Sequence, residues 1–288
     1  MKHSIFSKLL AFALFFTTLG LSAETVRVLF VAGTASIQAP GEAAPRPIAK
    51  GDVVTLGTKI NTGADGRVAL SPAPGIQSVI TPNSSLVLES SSEASASDST
   101  VKHTVVLDLK QGAVVSDLNK PTGVSYDYSV RTPRGIAGAR GTKYVTAVNS
   151  LGVESVIVFE GTVSATLGNG TVISITNGQA SFQTPGAEPV LVNSVNELSP
   201  ENKAIAKELV EISLTTLIAA GGSGASSALA DILKAAEDLD ILVAPAIKAQ
   251  AELASGANTS STNNNGPQTQ VRPIPVVSDS EVPSNQTQ

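Results

Sequence analysis

From Thr25 to about Val192 the chain consists of short β-branched runs separated by turn chemistry every 8 to 15 residues. Residues 26–31 open the series, and residues 34–38, 59–62, 67–70, 101–109, 114–118, 126–130, 144–148 and 153–159 continue it. No helical period competes in this stretch, so it reads as about a dozen strands. Asp65-Gly66 and Asn169-Gly170 each separate two such runs and carry the two-residue hairpin signal. Gly33, Gly112 and Gly161 each interrupt a β pattern next to a small residue, which predicts sharp bends where strands pass between two sheets or between faces of a coil. Residues 90–100 are almost entirely polar, too poor in apolar side chains to order themselves, and read as a mobile loop.

The period changes after Ser194. Ser199-Pro200-Glu201 is a helix start, with Ser as N-cap, Pro at the first helical position and an acid in the first turn. Ile205, Leu209, Ile212 and Thr216 then share a face, and residues 221–224 are Gly-rich. Leu229, Ile232, Leu233, Ala236, Leu239 and Val243 predict a second helix, which Pro245 breaks or kinks. Residues 246–254 allow a last short helix. The modest apolar stripes need cover, by docking on the β region or by an interface with a second copy or a partner helix. Residues 255–288 turn to Asn, Ser, Thr, Gln and Pro, the composition of a disordered tail.

The fold class expected is therefore all-β, a multi-stranded antiparallel sandwich or roll (or a short β-solenoid), followed by a C-terminal α-helical hairpin and a disordered tail. The divisions expected are a signal over 1–23, a β domain over 24–193, a hairpin over 194–254 and a tail over 255–288. The signal rests on Lys2 and Lys8 ahead of an apolar stretch from Leu9 to Leu21, with cleavage between Ala23 and Glu24. That stretch is short for a membrane span of roughly 20 apolar residues, so a periplasmic or secreted chain with no stable membrane insertion is expected.

Composition narrows the function classes. There is no cysteine, so the chain folds on packing alone and has no site for a lipid anchor. The formal charge of −5 becomes −7 once Lys2 and Lys8 leave, which argues against nucleic-acid binding. Aromatics make up 3% and tryptophan is absent, which disfavours stacked sugars and bases alike.

Residues 132–145 read Thr-Pro-Arg-Gly-Ile-Ala-Gly-Ala-Arg-Gly-Thr-Lys-Tyr-Val. Beside them stand Gly51-Asp52-Val53-Val54 with Gly57-Thr58, Ile60 and Thr62-Gly63, then Pro82-Asn83-Ser84-Ser85-Leu86, and Leu109 with Gly112 and Val114. Val158, Glu160-Gly161, Val163 and Asn177-Gly178-Gln179-Ala180 close the set. Taken in order, these segments resemble the FecR-type domain, an all-β module of bacterial envelope proteins, over roughly residues 28–182. The resemblance implies a module class rather than a ligand. Members that regulate iron-uptake signalling carry a cytoplasmic anti-sigma segment and a spanning helix ahead of the domain. Here only a cleavable signal is expected there, so direct contact with a sigma factor is not carried over.

The chemistry-bearing residues are few. His103 lies in a strand pattern and is expected at a surface or edge, since one histidine without cysteine makes neither a zinc site nor a triad. No catalytic residue, metal ligand or cofactor is expected. Arg134, Arg140, Thr142 and Lys143 are the candidate binding residues: a Gly-paced loop whose N–H groups could cradle an anion and whose guanidinium groups suit carboxylate or phosphate. The opposing expectation makes Arg140 a structural corner residue paired with carbonyls or with Asp127 or Glu160, and leaves Arg134 exposed. The reading reached is a non-catalytic exported binding or scaffolding protein, its partner an envelope protein or an anionic cell-wall or glycan component. An envelope sensor acting on a partner in trans is the alternative, and an enzyme of unrecognised type the third class.

Overall fold

The computed structural model describes residues 22–23, 25–95, 100–119, 121–221 and 223–256. Most of the signal, the cleavage residue Glu24 and the tail from residue 257 onward lie outside them. The strands are β1 (Ser22–Ala23), β2 (Val26–Ala32), β3 (Ala35–Gln38), β4 (Arg46–Pro47), β5 (Val53–Val54), β6 (Lys59–Thr62), β7 (Arg67–Ala73), β8 (Ile76–Ile80) and β9 (Ser85–Ser95). Then follow β10 (Val101–Leu118), β11 (Val124–Thr132), β12 (Gly135–Ala139), β13 (Lys143–Val148), β14 (Glu154–Glu160), β15 (Thr162–Thr166), β16 (Val172–Thr176), β17 (Ala180–Gln183) and β18 (Val190–Val192). The helices are α1 (Pro200–Ala220), α2 (Ser223–Asp238) and α3 (Pro245–Ser255).

The molecule has three layers. An outer sheet runs β4–β3–β6–β9–β10–β11–β12–β15–β16, and β1 extends the edge of β9. A middle sheet runs β5–β2–β7–β8–β10–β13–β14–β17–β18. The helices cover the far face of the middle sheet, where Val145, Ile157, Phe159 and Phe182 share one apolar core with Val210, Leu214, Leu229 and Ile232. A second core lies between the sheets, with Leu70, Ile80, Tyr144 and Val158 packed against Leu86, Leu107, Tyr128 and Val163. The helical segment thus docks on its own chain. One polar pin crosses the inter-sheet core: the Tyr128 hydroxyl lies 2.8 Å from Ser78 Oγ and 2.9 Å from Ser116 Oγ. Burial pushes that phenol up to about 12.

β10 belongs to both sheets. Its first part pairs with β9 and β11 in the outer sheet, and from Gly112 onward it pairs with β8 and β13 in the middle sheet. All three predicted glycine bends mark such a change of sheet: Gly33 between β2 and β3, Gly112 within β10, and Gly161 between β14 and β15. At Gly112, with φ +87°, a Cβ would stand 2.0 Å from Ser84 Oγ, so only glycine fits. After β10 the chain crosses back to the outer sheet and β11 starts beside the beginning of β10. That coil makes β10–β11 a parallel pair in an otherwise antiparallel sandwich, a departure from the all-antiparallel expectation.

Three local expectations are corrected. Asn169-Gly170 is a hairpin turn joining β15 to β16, but Asp65-Gly66 joins β6 of the outer sheet to β7 of the middle one. There Asp65 Oδ1 accepts from Thr34 N at 3.1 Å, and a Cβ on Gly66 would meet Thr34 O at 2.0 Å. The tight turn forms as expected, but it serves a stacked corner rather than a hairpin. Residues 90–95, expected as loop, continue β9, because pairing of Ser95 through Ser90 with Val101 through Val106 supplies the backbone partners that their side chains cannot replace; residues 96–99 lie outside the described residues. His103, expected at a surface or edge, is 3% exposed. It shares the inward parity of Val105 and Leu107 and tilts against Tyr126, ring centroids 5.9 Å apart.

Ser199 caps α1 by accepting from Asn202 N at 3.3 Å, with Pro200 in the first turn, as its sequence predicts. The most buried positions of α1 are Val210 and Leu214, while Ile212 is half-buried. The shift follows from packing: α1 touches β13 as well as α2 and α3, and so buries more than one stripe. Pro245 starts α3 instead of kinking α2, which has ended at Asp238.

Candidate functional site

Thr132-Pro133-Arg134-Gly135 is a two-residue turn between β11 and β12, with Thr132 paired to Gly135. Proline suits this turn because it sets φ and needs no partner for a missing N–H. The turn is held from beneath by Glu154, which is buried at the start of β14 and accepts from the Thr132 hydroxyl and from Arg134 N at 2.8 Å. Burial raises the Glu154 carboxyl above its ordinary value, although both hydrogen bonds oppose the shift. The Arg134 guanidinium is tied to Gly152 O at 2.8 Å.

The Gly-paced segment expected as an anion-cradling loop is strand β12, paired on both sides with β11 and β15. Of its two glycines, Gly135 serves close backbone packing, since a Cβ there would approach Thr166 O to 2.6 Å. The corner lies later, at Arg140-Gly141, where Gly141 takes φ +60°. It stacks on the Gly161 corner, where a Cβ would meet Thr142 Cγ2 at 2.8 Å.

The expected roles of the two arginines are reversed. Arg134 is the half-buried, hydrogen-bonded one, and Arg140 is exposed on the outer sheet. Asp127 and Glu160, the acids proposed for Arg140, pair instead with Lys102 and Lys143. Strand parity explains the outcome: Ala137 and Ala139 point into the inter-sheet core, so Arg140 points out. Thr142 is buried, with no partner for its hydroxyl among the described residues. Lys143 is 9% exposed and points toward the helices, beside Val145 and Ala147. Of the cleavage pair, Ala23 lies in β1 opposite Ser92.

Lys143 is the centre of a charged junction that the sequence did not reveal. Its ammonium is 2.8 Å from Glu160 Oε2 and also pairs with Asp231 of α2, bonding the middle sheet to the helical layer. Burial would lower its pKa, but these two partners outweigh that and raise it. Opposite Lys143 on β10 stands Asp117, 6% exposed, with Oδ1 accepting from Asn119 Nδ2 at 3.1 Å. Burial lifts the Asp117 carboxyl to about 6, with Glu160 and Asp231 adding to the rise and Lys143 opposing it. Asp231 and Lys143 are 88 residues apart, so no spacing in the sequence announces the contact.

At the Gly112 bend, α1 stands off the middle sheet and leaves a groove of about 390 Å³. Ala113, Ala147, Val148, Ile205 and Leu209 supply its apolar surface, and Asn83, Gln111, Asn149, Ser155 and Glu208 its polar groups. Glu208 and Ile212 also line a second concavity, of about 400 Å³, reaching Ile247 of α3. Among the described residues no group of three or more acids or histidines is placed to hold a metal.

Residues 58–164, which run from just before β6 into β15, match the family model described as FecR protein. Over that stretch the chain is similar to the FecR family. The match is narrower than the motif resemblance, since Gly51-Asp52 and the Asn177–Ala180 segment fall outside it. No curated protein matches the chain. Two solved structures are similar, both of a "putative anti-sigma factor" from Parabacteroides distasonis, at 12% and 11% identity. Each likeness covers 46% of this chain and 58% of the other, with TM-scores of 0.37 and 0.36. The chain therefore spans little more than half the length of those proteins. Among the described residues no helix is long and apolar enough to cross a membrane.

Proposed function

We propose that this chain is a non-catalytic, exported FecR-domain protein that takes part in envelope sensing or signalling by binding a partner protein. The observation that carries the reading is the FecR match over residues 58–164, which supplies strands β6 to β15 of the two sheets. The reading is non-catalytic because three charged groups at or beside the signature segment are engaged in structure. Glu154 and Arg134 hold a turn, and Lys143 bonds the sheet to α2. A signalling role is favoured over passive scaffolding on the family match alone.

The test is deletion of the gene, transcript profiling, and complementation with the full chain, joined to photocrosslinking of the exported protein. Loss of a discrete transcript set, restored on complementation, together with a defined crosslinked protein is the expected result. An unchanged profile with no crosslinked protein overturns the reading. Terminal mass mapping adds a check on export: a mature chain beginning at Glu24 is expected, and an intact Met1 species in the inner membrane would overturn release.

A further inference from the structure

We propose that the groove between α1 and the Gly112 bend is a peptide-binding site, taking an extended segment of a partner protein that carries a lysine or arginine side chain. The proposal rests on the partner-binding reading above and deepens it. Four observations point to such an occupant. First, Ser155 on β14 is 2% exposed and lines the groove, yet among the described residues its hydroxyl has no hydrogen-bond partner. It lies on the same face of β14 as Ile157 and Phe159, the face turned to the helices. Buried hydroxyls are normally paired, so this one is placed to meet a group from outside.

Second, the groove's one charged lining residue is Glu208, and among the described residues its carboxylate has no ion-pair partner. Its neighbours on α1 are occupied otherwise: Glu211 accepts from Ala244 N at 2.8 Å and lies 3.9 Å from Lys207. A lone carboxylate over an apolar floor selects a cationic group whose stem can lie on that floor.

Third, the side-chain amides of Asn83 and Gln111 are exposed on the rim, and each offers both donors and an acceptor. An extended peptide needs such groups, because every residue brings one N–H and one C=O to be satisfied. Fourth, Glu208 and Ile212 are shared with the second concavity, so the space continues past the acid instead of closing around it. That shape suits a chain passing through better than a compact small molecule.

The test uses the full mature chain and three pools of fluorescein-labelled decapeptides, randomised except for a central lysine, glutamate or norleucine. Fluorescence anisotropy reads affinity, and amide NMR shifts at Ala113 and Ala147 report the groove. The lysine pool is expected to bind best and to shift both amides. Glu208→Gln should weaken it by about tenfold, Ser155→Ala should weaken it less, and Glu208→Lys should switch preference to the glutamate pool. Glu208 is exposed, so its variants should keep the parent melting temperature, separating lost binding from lost fold. Equal affinity for all pools, or lysine-pool binding unmoved by Glu208→Gln, overturns the groove assignment. If crosslinking still captures a partner in that case, partner binding stands and only its site is wrong.

Discussion

Within β10, residues 102–109 alternate between exposed or half-exposed and buried, whereas residues 113–118 are all buried. Both parts are paired on two sides within one strand, and they differ in the layer they belong to. The first part lies in the outer sheet, which has one core-facing side, and the second in the middle sheet, which has cores on both. β13 repeats the second pattern along its whole length, and β15 the first. The outer face of the outer sheet spends its charges on ion pairs at the surface, Arg131 with Glu89 and Lys102 with Asp127. Such exposed pairs contribute little to stability. The middle sheet carries its charges inward, at Lys143 and Asp117, where leaving one unpaired is costly. A strand's alternation thus reports how many layers cover it, and a charge matters according to the layer it faces.

The sharpest way to break the comparison is to cut the helix-facing core. Ile157→Ala, at a fully buried middle-sheet position, should cost about 3–4 kcal/mol in denaturant melts. Val106→Ala, at a half-exposed outer-sheet position, should cost about 1 kcal/mol or less. Equal losses would mean that the helices do not cover the middle sheet.

Lys143→Met should come next, at about 2–3 kcal/mol, because it leaves Asp117, Glu160 and Asp231 together without their cation. The figure sits below that for a fully buried pair because Glu160 is largely exposed. Hydrogen exchange should show α2 loosening first. Protection of α2 unchanged from the parent would remove Lys143 from its role between the layers.

Gly112→Ala tests the bend that divides β10. With φ +87° and Ser84 in the way, it should cost about 2 kcal/mol. Gly138→Ala, in β12 with no atom closer than 3.9 Å to the added carbon, should stay within about 0.5 kcal/mol. Comparable effects at the two glycines would count against a sheet change at Gly112.

Asp117 makes the pH prediction. Its folded carboxyl titrates near 6 while the unfolded one titrates near its ordinary value of 3.8, so the native state holds the proton longer. Stability therefore falls as pH rises from about 4 to about 6 and then levels. Glu154, also raised by burial, acts in the same direction. Asp117→Asn should flatten part of that fall, with a gain of about 1 kcal/mol at pH 7.5 relative to the parent. A variant whose pH profile overlays the parent's would show that Asp117 is not the titrating group.

The smallest effects belong to the arginines. Arg134→Ala should cost about 1 kcal/mol through the lost bond to Gly152 O. Arg140→Ala should stay within about 0.5 kcal/mol. Thermal melts that reverse this order would restore the roles first read from the sequence.

What could be read from the sequence alone was local. The β-branched runs, the glycine bends, the Asn169-Gly170 hairpin and the Ser199 cap all depend on a few neighbouring residues, because φ, hydrogen-bond geometry and side-chain parity act over that range. Even the misplaced His103 carried the correct signal, since its parity with Val105 and Leu107 already placed it inward. Tertiary structure decided whatever depends on a partner far along the chain. It turned Asp65-Gly66 from a hairpin into a corner and made a strand of residues 90–95. It exchanged the roles of Arg134 and Arg140, and it brought Asp231 to Lys143 and α1 to the Gly112 bend. Burial and pairing are properties of two surfaces meeting, and a one-dimensional pattern shows only one of them.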